Sequence, residues 1–231
     1  MTAYVLSNIV LKNSPPLAPI AEAPKSGSLT YNSKPMYLIQ TQSEPDGKAQ
    51  TIWVHSVSGE WYNSTDHPDY FTTPSASAES IKTVFFEPSA VESGNYTVTI
   101  QCRDEHSIGT LVTRSFSIAP SPFEDITANE THVKAAHIQA LRTAANNLRN
   151  YYNLQPYVWA SDIIPGRTQV RDWPFHILEL RAAVQGIVDK INSFDSASDE
   201  NEVTPVDWVD IGTGRPRTDV MNQLMDLILT L

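Results

Sequence analysis

The strongest constraint in this 231-residue chain is internal repetition. Thr131-His132-Val133-Lys134-Ala135-Ala136-His137-Ile138-Gln139-Ala140-Leu141-Arg142 and Thr168-Gln169-Val170-Arg171-Asp172-Trp173-Pro174-Phe175-His176-Ile177-Leu178-Glu179-Leu180-Arg181 share Thr-x-Val-basic followed by His-Ile-x-x-Leu-Arg. A third copy opens at Thr218-Asp219-Val220. An aromatic residue and an isoleucine precede each copy: Phe123 with Ile126, Trp159 with Ile163, and Trp208 with Ile211, the last two followed by Gly166-Arg167 and Gly214-Arg215. A short unit used three times cannot bury its apolar face alone, so the copies must stack on one another or on a neighbouring layer.

Each copy reads as a capped amphipathic helix. The threonine can accept a hydrogen bond from a free first-turn N–H, and Asp172 with Pro174 marks a second start signal. His137, Ala140, Leu141, Ala144 and Leu148 share one face with Val133. So do His176, Leu180, Ala183, Val184, Ile187 and Ile191, and so do Val220, Leu224, Leu227, Ile228 and Leu231. Without gaps, the third copy places Leu224 where the first has His137. A site that accepts leucine is a packing position, so His137 and His176 are read as core histidines rather than metal ligands. Arg142 and Arg181 are expected to pair with acidic groups or carbonyls of an adjacent repeat.

The pattern Thr-x-Val-Lys/Arg, then His-Ile-x-Glu-Leu-Arg, behind an upstream Trp-x-x-x-Ile-x-x-Gly, resembles short tandem helical repeats of phage virion and bacterial surface proteins. The resemblance covers 123–231 and is best at 159–190; the third copy departs from it, lacking both the histidine and the arginine. It implies a tail-, baseplate-, fibre- or capsid-associated part, often found beside immunoglobulin-like modules.

Before Ala119-Pro120-Ser121-Pro122 the pattern changes from helical to strand-like. Paired prolines hold the chain extended, and a domain boundary is expected there. Residues 36–42, 51–57, 81–86, 95–103 and 111–118 read as strands. In the fourth, Tyr96, Val98, Ile100 and Cys102 alternate with Thr97, Thr99, Gln101 and Arg103. Glu44-Pro45-Asp46-Gly47-Lys48 carries turn chemistry and is expected to close a hairpin. About seven short strands without helical period predict a β-sandwich. Glu92-Ser93-Gly94-Asn95-Tyr96 resembles the tyrosine corner of immunoglobulin-like and fibronectin III-like modules, and Trp53 sits where such modules bury an aromatic residue. Residues 1–30, with Ser14-Pro15-Pro16-Leu17-Ala18-Pro19, read as an arm that docks on its own sheet or a neighbour's.

The predicted fold is therefore α+β in two domains. An N-terminal arm (1–30) and an all-β immunoglobulin-like sandwich (31–119) precede a small all-α bundle (120–231) of three repeated helices, about 123–150, 159–191 and 208–231.

Sixteen Lys and Arg against twenty-six Asp and Glu give a net charge of −10, which opposes nucleic-acid binding. Cys102 is the only cysteine, excluding an intrachain disulfide and a thiolate zinc cluster. No run reaches the roughly 18 apolar residues of a membrane span, and Met1 to Leu6 lack a signal-peptide pattern, so no membrane insertion is expected and the chain is expected to be made in the host cytoplasm. There is no G-x-S-x-G, H-E-x-x-H, Walker loop or G-x-G-x-x-G.

The expectation is a non-enzymatic virion protein without metal or cofactor. It would decorate a capsid or sit on a tail, baseplate or fibre, docking to other virion proteins and to itself. Met221, Leu224, Met225, Leu227, Ile228 and Leu231 are its candidate oligomer or anchor contacts. Trp61, Tyr62, Tyr70 and Phe71, with His67 among them, either fill the sandwich core or offer a surface contact for a host glycan or protein. The alternative is a glycan- or protein-binding module of a bacterial surface or secreted assembly.

Overall fold

The computed structural model describes residues 14–72, 79–123, 134–160, 162–163, 173–194, 206–211 and 218–231. The Thr-x-Val segments at 131–133 and 168–170, the Gly-Arg pairs, the acidic stretch 195–202 and the apolar start at 4–11 lie outside them.

Among the described residues eight strands come first: β1 (Ile20–Ala23), β2 (Ser28–Thr30), β3 (Met36–Gln40), β4 (Thr51–His55), β5 (Trp61–Asn63), β6 (Lys82–Phe86), β7 (Gly94–Arg103) and β8 (Val112–Ile118). Three helices follow: α1 (Ala135–Tyr151), α2 (Trp173–Asn192) and α3 (Thr218–Thr230). The chain is thus α+β, with strands preceding helices as the sequence pattern predicts.

The strands form two sheets, ordered β1-β3-β6 and β2-β8-β7-β4-β5. All pairings are antiparallel except β2 with β8, where Ser28, Leu29 and Thr30 run parallel to Phe116, Ser117 and Ile118. Rings join the sheets: Tyr37 meets Phe116 at 6.1 Å and Tyr62 meets Phe85 at 5.8 Å. Strand alternation supplies this layer, since Val98, Ile100 and Cys102 of β7 and Ile52 and Val54 of β4 are all buried. Tyr96 donates its hydroxyl to the Glu92 carbonyl at 2.7 Å.

Two expectations are corrected. The Glu44–Lys48 turn exists, with Gly47 at φ 69° and the Glu44 carboxylate accepting from the Asp46 and Lys48 amides, but it closes no hairpin. It carries the chain from β3 in one sheet to β4 in the other. Trp53 is not a core residue either. The period of two that turns Ile52 and Val54 inward turns Trp53 outward.

From residue 14 on, the stretch read as an arm is tied to its own chain. Its last residues form β1 and β2, and at Pro16 it crosses Gly109 so closely that a Cβ there would stand 2.7 Å from the Pro16 carbonyl oxygen. Only a glycine leaves room for that crossing.

Helices and strands share one apolar cluster. The Tyr151 ring lies 5.6 Å from Phe116, and its hydroxyl donates to the Met36 carbonyl at 3.1 Å. The Tyr151 carbonyl in turn accepts from the Lys25 amide at 3.0 Å. At the other end, the Asn32 amide donates to the Thr230 carbonyl, and the Tyr152 hydroxyl donates to the Leu231 carbonyl. Asn153 stops α1 at φ 56°, a left-handed conformation that asparagine tolerates.

Candidate functional site

The repeated arginines do the same thing twice. Arg142, near the middle of α1, lies 4.7 Å from the centre of the Trp159 ring, and Arg181 of α2 lies 4.9 Å from the Trp208 ring. Each helix is thereby clasped to the aromatic residue that leads into the next copy. Arg142 also donates to Glu179 of α2 at 2.7 Å and lies 3.0 Å from His176 Nδ1, all three side chains being buried. Arg181 donates to the Val209 carbonyl. Burial draws both guanidinium groups below their ordinary pKa, opposed by Glu179 and Asp162 beside Arg142 and by Asp210 beside Arg181.

These contacts also correct the alignment of the third copy. The Ala160 amide, just after Trp159, donates to Glu179 Oε1 at 2.7 Å, and the Val209 amide, just after Trp208, donates to Gln223 Oε1 at 3.0 Å. Gln223 therefore occupies the place of Glu179. This puts Val220 where His176 stands and Met225 where Arg181 stands, four residues from the ungapped alignment. The histidine position still accepts an aliphatic residue. His137 closes its own helix start, its Nδ1 accepting from the Lys134 amide at 3.2 Å.

Met221, Leu224, Met225, Ile228 and Leu231 are buried inside this chain, and of the six anchor candidates only Leu227 is half-buried. The exposed apolar helical surface lies instead on α2, where Phe175 is 45% and Leu178 is 56% exposed.

The aromatic candidates divide. Tyr62 and Phe71 enter the core against Phe85, and Tyr70 is half-buried edge-on to Tyr62. Trp61 is 40% exposed on the outer face of the five-stranded sheet. It lies 5.0 Å from His55, and the Arg103 guanidinium reaches over the same face, 3.9 Å from the Trp53 ring centre and 5.7 Å from that of Trp61. Sequence reading missed Trp53, His55 and Arg103 as companions of Trp61. The signal was the alternation of Thr51, Trp53 and His55 along β4, which marks one outward row.

Among the described residues no group of three His, Cys, Asp or Glu side chains could hold a metal ion. Cys102 is buried in β7, where desolvation pushes its thiol up to about 12. No described helix is long and apolar enough to cross a membrane.

No protein family matches the sequence, and no curated protein matches it significantly. Among solved structures, a match at 15% identity and a TM-score of 0.30 is the crystal structure of chitinase ChiW from Paenibacillus sp. str. FPU-7, described as a bacterial cell-surface-expressed multi-modular enzyme machinery. It covers 55% of this chain and 11% of that one, so this chain is similar to only about a tenth of that protein's length.

Proposed function

We propose that this chain is a non-enzymatic structural protein of a phage or phage-like particle, in which an immunoglobulin-like sandwich and a repeated helical bundle act as one docking body. The immunoglobulin-like reading is supported by the sheet orders β1-β3-β6 and β2-β8-β7-β4-β5, by a first segment that passes from one sheet to the other, and by the Tyr96 corner. The virion reading is supported by the resemblance of the repeat.

One observation carries the docking role. Phe175 and Leu178 stand exposed on α2, while the equivalent positions are Ala136 and Gln139 in α1 and Asp219 and Asn222 in α3. The repeat does not need apolar residues there, so their presence in one copy fits a contact with another protein of the particle.

Particles banded on a density gradient and probed with antibody against the chain test this reading. The wild-type chain is expected to co-band, and a Phe175→Asp, Leu178→Asp variant is expected to fold yet stay unincorporated. A chain recovered only from cell envelopes or medium, with no particle fraction, would overturn the reading in favour of a bacterial surface module.

A further inference from the structure

The outer face of the five-stranded sheet has two lanes. On β7 and β8, Thr97 faces Ser115 and Thr99 faces Thr113, with their hydroxyls 3.3 and 3.5 Å apart. On β5, β4 and the end of β7 lies the aromatic lane of Trp61, His55 and Trp53, with Arg103 laid across it. Two indoles on one outward face, bridged by Arg103 and beside a row of hydroxyls, form an amphipathic surface.

Arg103 is the chemical clue. The Arg103 guanidinium stacks over Trp53, and with the buried Gln101 amide turned so that its oxygen faces it, that oxygen accepts from Nε and one Nη. Among the described residues no carboxylate lies within ion-pair distance of it, in a chain where acids outnumber bases twenty-six to sixteen. A planar fork of donors stacked 3.9 Å from the centre of the Trp53 ring and 5.7 Å from that of Trp61, with no acid within ion-pair distance among the described residues, matches a carboxylate brought from outside. A nucleic acid would also stack on such rings, but it needs a basic groove tracking its backbone, whereas this lane offers one arginine on a chain of charge −10.

We propose that Trp53, His55, Trp61 and Arg103 form a binding site for an acidic sugar, a pyranose bearing one carboxylate within an otherwise neutral glycan. The apolar C–H face of the ring stacks on Trp61, Arg103 takes the carboxylate through its remaining N–H edge, and His55 with the Thr99 hydroxyl meets the sugar hydroxyls. The site does not depend on whether the chain belongs to a particle.

The test is a printed panel of sialylated, glucuronylated and galacturonylated oligosaccharides, each with its neutral counterpart, beside a single-stranded oligonucleotide. The purified chain is compared with Trp61→Ala, Arg103→Lys and Arg103→Gln, all confirmed folded by near-ultraviolet circular dichroism. Binding to at least one carboxylated glycan is expected, falling about tenfold or more for its neutral counterpart and in each variant. Arg103→Lys is expected to lose nearly as much as Arg103→Gln, because an ammonium cannot reproduce the fork. Equal binding of neutral counterparts, binding insensitive to Trp61→Ala and Arg103→Gln, preference for the oligonucleotide, or no glycan binding would each overturn the proposal.

Discussion

Arg142 lies across the ring of Trp159, 4.7 Å from its centre, while the same guanidinium forms a 2.7 Å ion pair with Glu179. The next copy repeats the stacking with Arg181 and Trp208 but omits the acid, with Gln223 in its place. The molecule therefore contains two versions of one joint. A buried pair that loses one partner leaves an uncompensated charge, so Arg142→Ala is expected to cost about 3–5 kcal/mol. Arg142→Met combined with Glu179→Gln copies residues that α3 carries at the same positions. Urea denaturation is expected to place the double variant well above the single one in stability. A double variant as unstable as Arg142→Ala would show that the ion pair itself holds α1 to α2.

Cys102 gives a probe of the sheets. It is fully buried on β7 and its thiol is raised to about 12, so almost no thiolate forms near neutrality. The folded chain is expected to resist an aromatic disulfide reagent at pH 8 and to react with one equivalent in urea. Rapid labelling without denaturant would mean that β7 opens locally, because the thiol has no other route to solvent.

Much of this architecture was legible in sequence because period carries it. The alternation in β7 and the 3.6-residue stripes of the helices each mark one buried face, and the strand and helix segments follow from that. That β3 and β4 belong to different sheets was not legible. Turn residues report that the chain reverses, not which sheet receives it, and Gly47 serves a crossing between sheets as well as a hairpin. The outer face escaped for a different reason. Trp53 is large and apolar, which favours the interior, yet its neighbours Ile52 and Val54 already fill the inward positions of β4. Arg103 lies fifty residues from Trp53 in sequence, so nothing local links them.

Glu22 of β1 reaches Lys190 of α2 at 3.3 Å and accepts from the Asn153 amide at 3.3 Å. Partial burial alone would raise its carboxyl, but Asn153 and Lys190 outweigh that and hold it below the ordinary 4.5. A depressed folded pKa means that the stabilisation is present above about 4.5 and is lost as pH falls through the lower folded value. Glu22→Gln is expected to lower the urea midpoint slightly at pH 7, and the gap from wild type is expected to narrow as pH falls below about 4.5. A gap that stayed constant across that range would assign the effect to packing instead of charge.

Tyr151 ties the helices to the sheets through three contacts: its ring on Phe116, its hydroxyl on the Met36 carbonyl and its own carbonyl under the Lys25 amide. With both parts drawing on one apolar cluster, they are expected to unfold together. The tryptophans make this measurable, since Trp53 and Trp61 report on the sheets and Trp159, Trp173 and Trp208 on the helical part. Single-tryptophan variants from each group are expected to give coincident urea transitions. Tyr151→Ala removes a fully buried ring and is expected to cost about 3–5 kcal/mol, shifting both transitions by the same amount. If it lowered only the helical transition, the sheets would be a unit that stands without the helices, and Pro120 to Pro122 would mark a true thermodynamic boundary. A common shift means that the prolines interrupt the secondary structure while the core continues past them.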